Sequence, residues 1–142
     1  MRDTSELLKE CNAGIKMGVS SIEEVLDNVK SDKLKEILSS SKEEHQRLGS
    51  ETHQILEQFG LEGKEPNPMA KGMSWLKTNV MLSMEDSDST IADLITDGCN
   101  MGVKSLSRYL NQYKAADEKA KDIAKKLINM EHQLSVDIRE YL

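Results

Sequence analysis

The chain carries one passage twice, and this repeat limits its folds more than any other feature. CNAGIK beginning at Cys11 returns as CNMGVK beginning at Cys99, with Cys, Asn, Gly and Lys in place and Ile15 answered by Val103. Downstream, KLKEI from Lys33 is echoed by KAKDI from Lys119, so the offset drifts only from 88 to 86 residues. A unit of about two helices has been duplicated. The two copies predict two similar helical hairpins in one domain spanning residues 1–142.

Helical periodicity fills in the hairpins. A first helix over 4–29 carries Leu8, Ile15, Val19, Ile22, Leu26 and Val29 at the 3–4 spacing of an amphipathic helix. Ser31 or Asp32 can cap a second helix bearing Leu34, Leu38, Leu48, Ile55 and Phe59, which stops at Gly60. So short a link makes the two antiparallel. Gly63, Pro66 and Pro68 mark a loop that leads into a shorter crossover helix over 68–84. The polar run 85–89 breaks that helix and supplies caps for the next. The second hairpin, 90–142, pairs a helix carrying Ile91, Leu94, Ile95, Val103, Leu106, Leu110 and Tyr113 with one carrying Ile123, Leu127, Leu134, Ile138 and Tyr141. The expected fold is all-α: a four-helix bundle of two repeated αα-hairpins with an extra crossover helix. A plain up-down bundle, with 68–84 as one of four long members, is the alternative.

Composition narrows the partners. With 19 Lys and Arg against 25 Asp and Glu the net charge is -6, and no basic stripe offsets it, which argues against nucleic acid. Aromatic residues make up 4% of the chain, as suits an aliphatic core. No apolar run is long enough for a bilayer, and charged residues recur from Met1 to Glu10 where a secretory signal would be apolar. Two cysteines in such a chain are expected as reduced thiols in a cytoplasm.

A few polar residues fall in core register. The amides Asn12 and Asn100 repeat; His45 stands on the inward stripe Leu38, Ser41, His45, Leu48, Thr52; Glu131 stands between Leu127 and Leu134. His45 and Glu131 are 86 residues apart, so the repeat sets them in equivalent places. One reading is a mutually satisfied polar layer, since a buried carboxylate needs a partner and such layers hold helix register. The other is a single soft metal such as zinc held by Cys11, Cys99, His45 and Glu131, one donor from each core helix. Counting from the turns leaves Cys11 and His45 about one helical turn out of level, which favours the first. The glycine pairs Gly14/Gly18 and Gly98/Gly102 suggest close helix approach, or room for a small ligand. Met69, Met73 and Met84 alternate with Leu76 and Val80 as packing residues.

A duplicated hairpin joined by a long crossover resembles the ferritin-like superfamily. The closer likeness is to its small bacterial members, whose repeats carry Cys or Gly near the centre of the first and third core helices. Gly72, Trp75, Leu76, Lys77, then Asp88, Ile91, Leu94 and Gly98 are similar to that group's crossover and third core helix. The superfamily's di-metal site needs inward Glu residues and Glu-x-x-His pairs, whose members share a helix face three residues apart. Here His45, His53 and His132 follow Lys42, Ser50 and Asn129 at that spacing. No carboxylate occurs from Cys11 to Ile22 or from Cys99 to Tyr113. The expectation is a non-catalytic bacterial cytoplasmic protein without a cofactor, serving as a protein-interaction or small-ligand-binding module. The rival is a metal-binding protein or metalloenzyme using the Cys/His/Glu set. Trp75, Met81 and Leu82 point away from the crossover helix's apolar stripe, and this predicts a homodimer interface there.

Overall fold

The computed structural model describes residues 2–61 and 87–142. The crossover helix expected over 68–84, with Trp75, Met81 and Leu82, lies outside the described residues. Four long helices, α1 (Arg2–Leu26), α2 (Asp32–Gln58), α3 (Ser87–Gln112) and α4 (Glu118–Asp137), precede a 3-10 turn at Arg139–Tyr141, and the described residues include no strand. The four long members form without residues 68–84, which removes the plain up-down alternative. None of the described helices is long and apolar enough to cross a membrane.

Local chemistry explains the boundaries. Ser31 Oγ accepts from the Leu34 amide at 3.2 Å and so caps α2. At the other end Gly60 takes a positive φ of 69°. Its amide donates to the Glu57 carbonyl, and the Leu61 amide donates to that of Leu56 at 2.8 Å, the paired closing bonds of a Schellman stop. Asp117 Oδ1 accepts from the Lys119 amide at 2.9 Å and caps α4.

Three boundaries differ from the sequence reading. α1 stops at Leu26 rather than residue 29, because the Asn28 and Val29 amides turn back to the Val25 and Leu26 carbonyls. α3 already begins at Ser87, within the polar run read as a break, since acidic and hydroxyl residues suit a first helical turn. α4 yields at Ile138 to the 3-10 turn instead of continuing, and that turn lays Tyr141 against the apolar core.

Two long-range clasps set the helix directions. The Asp88 carboxylate accepts from the Lys30 and Ser31 amides at 2.8 and 2.9 Å, joining the start of α3 to the α1–α2 turn. Asp3 Oδ2 accepts from the Ala115 amide at 3.0 Å and Thr4 Oγ from that of Asp117 at 2.8 Å, joining the start of α1 to the α3–α4 turn. α1 and α4 therefore run one way, α2 and α3 the other. The end of α2 and the start of α3 lie at opposite ends of the bundle. α2 packs on α4 and α1 on α3, and α1 also meets α4 across the diagonal.

The core has two apolar layers. One gathers Leu7, Leu8, Cys11, Ile15, Leu48, Leu56, Ile123 and Leu127. The other gathers Ile22, Val25, Leu34, Leu38, Ile91, Ile95, Cys99, Leu134 and Ile138. On α2 and α4, which pack side by side, the step between layers falls at the same place: between Leu38 and Leu48, and between Leu127 and Leu134. That step holds His45 and Glu131.

Candidate functional site: a buried histidine–glutamate layer

His45 and Glu131 come into direct contact at mid-height. His45 Nε2 lies 3.2 Å from Glu131 Oε1, and the two side chains are 1% and 11% exposed. The imidazole's other nitrogen, Nδ1, donates to the Ser41 carbonyl at 2.7 Å, one turn back on α2. The Ser41 hydroxyl stands 3.4 Å from the same nitrogen. The Cys99 thiol of α3 adjoins Glu131, which helps hold the thiol protonated. α2 and α4 thus supply the hydrogen-bonded side chains, and α3 brings a thiol beside the carboxyl.

The fourth helix supplies space. A methyl group at Gly18 would stand 2.8 and 2.9 Å from the His45 ring, so only glycine leaves that ring its place. Gly102 of α3 lies beside the Glu131 carboxyl, but a Cβ there would stand 3.5 Å from Cδ, an ordinary contact. Gly14 packs on Leu127, whereas Gly98 faces open space. The repeated glycines therefore do not act alike. Of the four, Gly18 alone must be glycine to make room for the polar pair.

The electrostatics follow from this geometry. Burial acts on His45 most strongly and pushes its pKa down. The hydrogen bond and charge of Glu131, the Ser41 carbonyl and the charge of Glu44 together outweigh burial, and the ring settles above the ordinary histidine value. The Cys99 thiol is pushed up by burial and then by Glu131. Cys11 is pushed up to about 12 by burial, with the Glu10 charge adding to it. Both cysteines are free and buried.

Of the remaining candidates, Asn12 is buried, but Asn100 is exposed and leaves the intrabundle set. The two amides repeat in sequence, yet their helices sit differently. From residue 3 to 22 α1 has no exposed position, while α3 turns Asp97, Gly98, Asn100, Met101 and Lys104 to solvent. Val103 is only partly buried and joins neither apolar layer, unlike its counterpart Ile15. Cys11 belongs to one apolar layer and Cys99 to the other; Glu131 acts on the Cys99 thiol, whereas the charge acting on Cys11 is that of Glu10. His132 is exposed, which separates it from the inward His45. Among the described residues no group of three or more His, Cys, Asp or Glu is disposed to hold a metal ion. The sequence reading missed the Asp3 and Asp88 clasps, which secure the two ends of the bundle. A signal existed: both acids fall in the first turn of the leading helix of a hairpin.

A groove of about 360 Å³ lies between α2 and α4, with Ser41, Glu44, Met130 and Leu134 among its walls. No family model matches the chain, and neither a curated protein nor a solved structure does.

Proposed function

We propose that this is a ferritin-like bundle made from a duplicated hairpin, kept as a scaffold without the superfamily's metal chemistry and serving as a non-catalytic module that binds a protein or a small ligand. The two clasps support the duplication. Asp3 holds the Ala115 amide and Asp88 holds the Lys30 amide, so each hairpin's leading acid secures the other hairpin's turn. The two bonds are related by one shift of 85 residues (88 − 3 = 115 − 30), three short of the 88 that relates Cys11 to Cys99, so the clasps match in role and not in aligned position. The opposite placement of the α2 end and the α3 start supports a ferritin-like connection.

One observation carries the non-catalytic reading. His45, Glu131 and Cys99 direct their polar atoms at one another and at the Ser41 carbonyl, in the layer where a ferritin-like enzyme would present open carboxylates to metals. Cys99, Glu131 and His45 adjoin, which favours the metal rival; Cys11 lies in the other layer, which counts against it. A bacterial cytoplasmic setting suits two free, buried thiols. The crossover residues Trp75, Met81 and Leu82 are proposed to join two copies in a twofold dimer.

Native mass spectrometry of protein purified without chelator tests these points together. The expected species is a metal-free dimer that Trp75→Ala with Leu82→Lys dissociates. A near-stoichiometric metal, lost when Cys11 and Cys99 are both replaced by Ser, would install the metal-binding reading instead. A monomer at tens of micromolar would remove the dimer.

A further inference from the structure

Two short contacts determine how many protons the buried pair holds. The Ser41 carbonyl can only accept, and it lies 2.7 Å from His45 Nδ1, so that nitrogen carries a hydrogen. Nε2 is left facing Glu131 Oε1 at 3.2 Å. A neutral ring protonated on Nδ1 presents a lone pair there, and an ionised carboxylate presents only lone pairs. In a buried site that contact repels. The other tautomer moves the conflict to the Ser41 carbonyl without removing it. One further proton resolves both contacts, whether it sits on Nε2 as an ion pair or on Oε1 as a neutral pair.

We infer that His45 and Glu131 form a one-proton latch between the hairpins: a proton retained in the core ties α2 to α4, and its loss at higher pH loosens the bundle at mid-height. Every packed element bears on it. α2 contributes the Ser41 carbonyl and hydroxyl and the Glu44 charge, and α4 contributes Glu131. α3 contributes Gly102 and the Cys99 thiol, whose own proton is held firmly by burial and Glu131. α1 contributes Gly18, which has no side chain to compete for the contact. Both charges acting on the ring, Glu131 and Glu44, are negative and favour retention of the proton. The two apolar layers on either side limit the water that could replace a broken bond.

The sign follows from linkage. His45 is raised in the folded protein, so its contribution is complete below the unfolded histidine value of about 6.5 and is lost as pH rises through the folded value. Across that window the folding equilibrium constant falls by up to about tenfold per pH unit, the limit for one linked proton. Glu131→Gln separates the latch from general packing. A glutamine amide can donate to a neutral Nε2 and needs no shared proton.

The test combines urea denaturation from about pH 6 to 9, bracketing the free histidine value, with NMR of the protein labelled with 15N in histidine and 13C in glutamate. The wild type is expected to lose stability with rising pH, E131Q to give a flatter curve, and the pair to keep its proton above the pH at which His45 titrates in urea-unfolded protein. Parallel pH curves for the two proteins would overturn the latch. So would an unprotonated Nε2 beside an ionised Glu131 at neutral pH, an NMR result that decides the matter even where E131Q fails to fold.

Discussion

Gly18→Ala places one methyl group where the packing leaves none, and its cost can be worked from distances. The new Cβ would stand 2.8 Å from His45 Cδ2, while ordinary contact begins at 3.4 Å, so the ring must withdraw by 3.4 − 2.8, about 0.6 Å. His45 is tethered on both edges, at 2.7 Å to Ser41 and 3.2 Å to Glu131, and a move of that size lengthens or bends at least one bond. Overpacking of this kind costs about 1–3 kcal/mol. Complete loss of the contact to a buried charge would cost about 3–5 kcal/mol, so partial loss adds to the strain. Against this, alanine in a helix gains about 1 kcal/mol over glycine. The expected net effect is a destabilisation of about 1–3 kcal/mol.

Gly98→Ala is the internal control. Gly98 also lies within a helix, but nothing stands within 4 Å of a Cβ there, so the propensity gain of up to about 1 kcal/mol is unopposed. The two substitutions are chemically identical and should differ in sign. Urea titrations followed by circular dichroism measure both. Repeating Gly18→Ala in a His45→Ala/Glu131→Ala background completes a double-mutant cycle, where the cost should vanish and leave a coupling above about 1 kcal/mol. A neutral or stabilising Gly18→Ala in the parent protein, or an unchanged cost in that background, would refute the reasoning.

The end clasps and the thiols give further checks. Asp88→Ala removes the acceptor shared by the exposed Lys30 and part-buried Ser31 amides and is expected to cost about 1–2 kcal/mol, with Asp88→Asn milder because one acceptor oxygen remains; equal effects from both would show that the carboxylate acts otherwise. Hydrogen exchange should show faster opening of the α1–α2 turn in Asp88→Ala, and a change at the Ala115 end alone would contradict the placement. Cys11, pushed up to about 12, and Cys99, also raised, should resist thiol reagents at neutral pH until the chain unfolds. Rapid labelling of either in the folded protein would count against their burial.

The meeting of His45 and Glu131 was legible because two independent periods agree on it. Each residue occupies an inward position of its own helical stripe, and the 86-residue separation matches the repeat. Stripe and repeat are local or additive properties, so one sequence contains them. The differing fates of Asn12 and Asn100 are not of that kind. The same pattern surrounds both, and only the assembled bundle shows that α1 is covered through residues 3–22 while α3 keeps a solvent face. The clasps were legible only by half, since a first-turn acid marks the start of each hairpin but no short-range rule links Asp3 to Ala115, 112 residues away.

The glycines carry this reasoning one step further. Gly14/Gly18 and Gly98/Gly102 look like the same device used twice, and symmetry alone would give them the same role. A histidine and a glutamate at equivalent positions cannot be packed symmetrically, because one is a ring and the other a carboxylate. The ring presses on Gly18 at 2.8 Å and the carboxyl stands off Gly102 at 3.5 Å. Gly102 is the repeat partner of Gly14, not of Gly18, and Gly14 packs on Leu127 instead. The polar pair therefore makes unequal demands on the glycines beside it. Glycine is required where that demand is greatest and dispensable at Gly98, where it is absent.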